Sequence, residues 1–162
     1  MPHKRIGSFI AKLRKRHGMA ARALEFAILT AARSGEVRGL IWDEIDFHAK
    51  TWTIPASRMK ARREHVTILS NDAIALLKSL PRIVGNSYVF PAARGGQLSD
   101  MALTAVVRRM HADDKKKGGE GWTDNRSGRV AVVHGFRSTF RDWTAEMGYD
   151  REMSEMALAH IV

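Results

Sequence analysis

The 162 residues predict a mainly helical α+β domain that carries a small three-stranded antiparallel sheet. Two patterns carry that prediction. Apolar residues recur every three to four positions before residue 42 and after residue 70, as the buried stripe of a helix requires. Between them Trp42–Phe47, Thr51–Pro55 and Arg63–Leu69 alternate apolar with polar side chains, as half-buried strands do. A chain of this length suits one domain with a real hydrophobic core, and no internal repeat or low-complexity segment divides it.

Residues 1–18 interleave Lys4, Arg5, Lys12, Arg14, Lys15 and Arg16 with Ile6, Phe9, Ile10 and Leu13. This is an amphipathic helix whose basic face is either solvated or tracks phosphates. Gly18 breaks it. Ala20 to Ala32 forms a second helix, alanine-rich and buried along Leu24, Ala27, Ile28 and Ala31. Ser34 is a good N-cap for a short helix that ends near Gly39. The three alternating runs follow, with the basic hairpin tip Ser57-Arg58-Met59-Lys60-Ala61-Arg62-Arg63 between the second and third. Ser70-Asn71-Asp72 caps a helix through Leu80, closed by Pro81. Tyr88 to Pro91 is a short extended piece. The turn Arg94-Gly95-Gly96-Gln97 is no phosphate-binding loop, because no Gly-Lys-Ser/Thr follows. Ser99 caps a helix from Asp100 to about Lys116, with Leu103, Val106, Val107 and Met110 as its apolar side. Asp113 to Arg129 is polar and rich in Gly, Lys and Asp, and is expected to be a mobile loop. The apolar run Val130 to Val133 stops at His134, where a helix marked by Phe136, Phe140, Trp143 and Met147 begins and Gly148 can end it. The last helix begins near Arg151 with Met153, Met156, Ala157 and His160 on one side, and its methionine stripe is expected in the core.

Lys plus Arg number 27 against 17 for Asp plus Glu, a net charge of +10. That excess favours a polyanionic partner, nucleic acid before membrane. No stretch is long and apolar enough to cross a bilayer, and Met1-Pro-His-Lys-Arg5 has no apolar core after it as a signal peptide would. Cysteine is absent, which excludes disulfides and cysteine-based metal sites. A cytoplasmic protein is the simplest reading.

Candidate chemistry lies at element ends and loops. His134 and Arg137, three residues apart, share a face at a helix start, where unpaired N–H groups and the dipole welcome an anion. The plainer alternative makes His134 a cap and Arg137 solvated. Arg33 stands at the junction of two helices, and Glu36, one turn on, can pair with it and fix its fork; the alternative is a structural ion pair. Lys60 on the hairpin can donate a proton or touch a DNA groove, and otherwise belongs to a solvated cluster with Arg58, Arg62 and Arg63. With no His-x-x-x-His pair and no acidic cluster, a metallohydrolase is disfavoured and no metal or other cofactor is expected.

Taken together, Ala-Arg33-Ser-Gly-Glu36-Val-Arg-Gly-Leu, the hairpin Lys60, His134-Gly-Phe-Arg137 and Leu158-Ala159-His160 resemble the arginine box, the hairpin lysine, the His-x-x-Arg box and the Leu-Gly/Ala-His box of the tyrosine recombinase (phage integrase) family. Trp-Thr-Ile-Pro and Arg-Met-Lys look like integrases of prophages and genomic islands. The resemblance covers roughly residues 20–162. It implies site-specific cleavage and rejoining of double-stranded DNA through a 3′-phosphotyrosyl link, without a cofactor, by a protein that works as a tetramer on DNA. On it, Arg33 and Arg137 clamp the phosphate, Lys60 protonates the leaving 5′-oxygen, His134 moves the nucleophile's proton and His160 hydrogen-bonds the phosphate, with Glu36 in support. Arg58, Arg62 and Arg63 are expected on DNA. The family's nucleophilic tyrosine lies beyond the final histidine box, whereas this sequence runs two residues past His160, to Val162. Tyr88 and Tyr149 do not fit the motif and are expected to be packing residues. Residues 1–162 are therefore expected to be a catalytic domain truncated before its nucleophile, without the family's N-terminal DNA-binding domains and inactive alone. The rival expectation is a non-enzymatic DNA-binding module.

Overall fold

The computed structural model describes residues 1–158. Helix α2 (Met19–Thr30) is the member the others pack around. It buries Ala21, Ala23, Leu24, Phe26 and Ala27, and the alanines let neighbours approach closely. Against it stand α1 (Ile6–Arg14), α3 (Ser34–Arg38), α4 (Asn71–Ser79) and α5 (Ala102–Lys116). Helices α6 (Gly135–Glu146) and α7 (Arg151–Ala157) complete the helical part and pack on each other. Phe26 meets Trp52 and Phe90 at ring separations of 5.5 and 5.7 Å, while Phe9 meets Trp122 edge-on at 5.1 Å and Phe136 at 5.2 Å. These rings belong to one continuous core.

The predicted sheet is present as β1 (Ile45–Asp46), β2 (Thr51–Ile54) and β3 (His65–Ile68), antiparallel in the order β1-β2-β3. The first run is shorter than its alternation suggested, because Trp42–Glu44 forms a 3₁₀ turn ahead of the strand. Directly opposed residues share a face of the sheet. Trp52 and Ile54 take the core face of β2, so their partners Thr67 and His65 share it, and Val66 and Ile68 are turned outward. Register thus overrides hydrophobicity in β3 and draws a histidine towards the interior.

Four further expectations are corrected. Arg33, not Ser34, is the N-cap residue of α3. Helix α5 starts at Ala102, and no side chain caps it. The segment after α5 is tied down rather than loose: Asp114 accepts the Gly121 N–H at 3.0 Å, Trp122 is 2% exposed, and the Asp124 carboxylate accepts the Ser127 N–H and hydroxyl. The methionine stripe of α7 is not core, since Met153 and Met156 are both more than half exposed; the helix buries Ser154 instead.

The basic face of α1 is largely spent on ion pairs. Lys12 bonds Asp114, Arg16 bonds Asp113 and Arg14 bonds Glu25 at 2.6 Å, with Arg22 joining the same buried Glu25 at 3.0 Å. Arg5 and Lys12 also lie over the Trp122 ring.

Trp122→Ala should cost about 3–5 kcal/mol in urea unfolding, because it empties a site shared by α1 and the post-α5 segment. Hydrogen bonds from Arg16 to Asp113, from Lys12 to Asp114 and from Ser127 to Asp124 hold all three carboxyls below their ordinary value. A depressed folded value means stability that is present above the unfolded value and lost as pH falls through the folded one. The urea midpoint should therefore drop on acidification below the ordinary carboxylate range, and less steeply in Asp114→Asn.

Candidate functional site

Helix α2 ends with Ala31 in the left-handed conformation at φ 51°, which turns the chain so that Arg33 enters α3 extended. Glu36 sits one turn into α3, 7% exposed. Its carboxylate accepts the Arg33 backbone N–H at 2.9 Å and the Arg33 guanidinium at 2.7 Å. One acid thus closes the helix start and orients the arginine side chain.

Arg137 enters from the first turn of α6 and is 4% exposed. Its two terminal nitrogens donate to the carbonyls of Ala31 and Leu158, tying the end of α2 to the end of α7. Burial, and then the nearby Arg33 charge, push its pKa down to about 10, with Glu36 and Glu155 opposing. The group therefore stays cationic at neutral pH. His134, at the N-cap position of α6, is exposed, and no side chain caps this helix. Lys60 is exposed on the hairpin, after the 3₁₀ turn Ala56–Arg58 and next to the buried Met59.

Arg33, Glu36, Arg58, Lys60, His134 and Arg137 line one cavity of about 380 Å³. Four of the five donors singled out in the sequence therefore face one space, brought there from α3, the hairpin and the start of α6. The fifth, His160, lies outside the described residues. Such a cavity, walled by three guanidiniums, an ammonium and an imidazole, with the Glu36 carboxylate among them, is suited to an oxyanion of tetrahedral shape. Among the described residues no group of three or more His, Cys, Asp or Glu side chains is placed to hold a metal ion.

The remaining candidates divide. Arg62 and Arg63 are exposed on the hairpin, and Arg63 lines a separate, larger groove with Met59, Phe140 and Met156. Arg58 is not solvated at the tip: it donates to Glu44 and to the Glu36 carbonyl. Neither tyrosine lines the cavity. Tyr88 is half-buried beside Ile41, and Tyr149, though exposed, leans on Trp143 at 5.6 Å.

Sequence reasoning placed Arg58 on DNA and missed its partner Glu44, fourteen positions earlier; it missed a second residue near the site altogether. His65 is half-buried on β3 within electrostatic reach of Glu36, Arg137 and Arg33; burial first lowers its pKa, Glu36 opposes that, and the two arginines add to it. The signal for it was the register with Ile54, which no local pattern reveals.

Residues 1–161 match the model of the phage integrase family. The chain is 33% identical to prophage integrase IntA of Escherichia coli (strain K12), over 83% of this chain and 30% of that protein. It is 30% identical to the integrase of Enterobacteria phage P4, over 99% of this chain and 38% of that protein. It thus spans about a third of the length of these curated relatives. Among solved structures, XerH site-specific recombinase bound to difH substrate in a pre-cleavage complex superposes with a TM-score of 0.72 at 17% identity, over 100% of this chain and 47% of that one. A lambda integrase tetramer bound to a Holliday junction gives 0.68 at 17% identity, over 100% and 46%. At that identity the likeness is one of fold.

Replacing Glu36 by Gln should destabilise the domain by about 2–4 kcal/mol in denaturant unfolding, because two close guanidiniums lose the buried charge between them. Arg33→Gln added to Glu36→Gln should recover part of that loss, which a double-mutant cycle measures.

Proposed function

The chain belongs to the phage integrase family, and on that premise we propose that residues 1–162 are the catalytic domain of a site-specific DNA recombinase. The substrate is a backbone phosphate of double-stranded DNA at an attachment site. A tyrosine oxygen attacks phosphorus, a 3′-phosphotyrosyl ester forms, and the bond to the 5′-oxygen breaks. Lys60 gives its proton to that departing oxygen. His134 takes the proton of the tyrosine hydroxyl. Arg33 and Arg137 neutralise the charge that builds on the non-bridging oxygens, and His160 adds a hydrogen bond to one of them. The 5′-hydroxyl of a partner strand then reverses the step, so the ester energy is conserved and no cofactor enters.

The observation that carries this reading is the convergence of Arg33, Lys60, His134 and Arg137 on one cavity from segments far apart in sequence. The carbonyl bonds of Arg137 support it as well, because they fix the plane of the guanidinium before any phosphate arrives. Since neither Tyr88 nor Tyr149 lines the cavity, the nucleophile comes from outside residues 1–162, and these residues alone do not cleave DNA. Arg62 and Arg63 contact the DNA backbone from the hairpin. The working form is a tetramer on DNA, in the cytoplasm of a cell that carries the element.

The test uses a protein continued past Val162 through a tyrosine. Arg137→Ala should slow formation of the covalent DNA–protein adduct by roughly 10²–10³-fold while changing DNA affinity only modestly. A loss of affinity with no adduct in either protein would favour a binding module instead. Binding itself should weaken steeply between about 50 and 200 mM salt, since Lys and Arg contacts to phosphate release counterions.

A further inference from the structure

The Arg58 guanidinium lies across Gly39, the residue that ends α3. A Cβ on Gly39 would stand 2.9 Å from Nη2, 3.2 Å from Cζ and 3.3 Å from Nε of that side chain. From this seat Nη2 donates to the Glu36 carbonyl at 2.6 Å, and Nη1 donates to the Glu44 carboxylate. The other Glu44 oxygen accepts Trp52 Nε1 at 3.0 Å, and the Glu44 side chain is only 8% exposed. One side chain therefore joins α3, which carries Arg33 and Glu36, to β2 through Trp52 and to the turn that carries Lys60. Met59, between Arg58 and Lys60, is buried, and its carbonyl accepts the Arg62 N–H at 2.9 Å. The backbone that bears Lys60 is thus pinned just before it and two residues after. A hairpin arginine reaching for phosphate needs neither a buried carboxylate nor a bare Cα to lie on.

We propose that Arg58 is a positioning residue: seated on Gly39 and bridging the Glu36 carbonyl to Glu44, it sets where Lys60 stands over the arginine pair. Gly39 is glycine to admit it. At φ −92° the backbone there suits any residue, so space rather than conformation excludes a side chain. The proposal rests on the recombinase reading, in which Lys60 protonates the leaving oxygen.

Misplacing a proton donor by an ångström costs as much as about 10²-fold in rate. The test uses DNA in which sulfur replaces the bridging 5′-oxygen at the scissile phosphate. A thiol ionises near 8.5, far more readily than an alcohol, so sulfur leaves without a donated proton. In the protein continued past Val162 through a tyrosine, Lys60→Ala, Arg58→Ala and Gly39→Ala should each slow cleavage of ordinary DNA by about 10–100-fold. All three should return to within about threefold of the unsubstituted protein on the sulfur substrate, with DNA affinity unchanged throughout. Arg33→Ala should stay slow on both. If Lys60→Ala recovers on sulfur while Arg58→Ala and Gly39→Ala do not, Arg58 does not act through Lys60 and the proposal is overturned. If Lys60→Ala itself fails to recover, the lysine is not the acid, and the proposal falls with that reading. Should Arg58→Ala fail to fold once Glu44 loses its partner, Gly39→Ala carries the test alone, because it removes no charge and strains no backbone.

Discussion

The carboxylate of Glu36 stands between cations that would otherwise repel one another. It accepts both the backbone N–H and the guanidinium of Arg33, and its charge also opposes the burial that drives Arg137 downward. Its own carbonyl receives Arg58. Without an anion at that spot, two neighbouring guanidiniums, one of them buried, would repel with nothing to offset the charge. The arrangement keeps the pair charged, with the Arg33 guanidinium held in one orientation. Preorganisation of this kind is what allows electrostatic stabilisation to act without reorganisation at the moment of reaction.

The same economy governs the rest of the basic charge. A net +10 suggests a molecule covered in free cations, yet Lys12 and Arg14 of α1, and Arg16 just past its end, lie against Asp114, Glu25 and Asp113. Those contacts weld α1 to α5 and α2. The exposed Lys60, Arg62 and Arg63 put part of the outward charge on the hairpin.

Arg137 is both buried and part of the cavity wall. Its contacts to Ala31 and Leu158 make it a strut between two helix ends, and those helices bring in the flanks of two different boxes. A residue tied to two helix ends in this way keeps its guanidinium in one place at the cavity wall.

Much of this molecule could be read without coordinates. Periodicity marks every long helix, because a buried stripe at 3.6-residue spacing is a local property of the chain. The three alternating runs mark the sheet, and the four boxes mark the donors. What local pattern could not supply was register, partner and exposure. Val66 and Ile68 look like a buried face, but β2 had already claimed the core, so pairing turned them outward and His65 inward. Met153 and Met156 look like core for the same reason and are largely exposed. Asp113 to Arg129 looks loose, yet Trp122 and the acids on either side anchor it. The arginine at position 58 reads as one more surface charge until Glu44 and Gly39 are brought against it. The sequence by itself determined which elements form and which donors exist, since both follow from residues close along the chain. Only the tertiary structure decided which cations are spent on internal carboxylates and which face the cavity, because each partner comes from a distant segment.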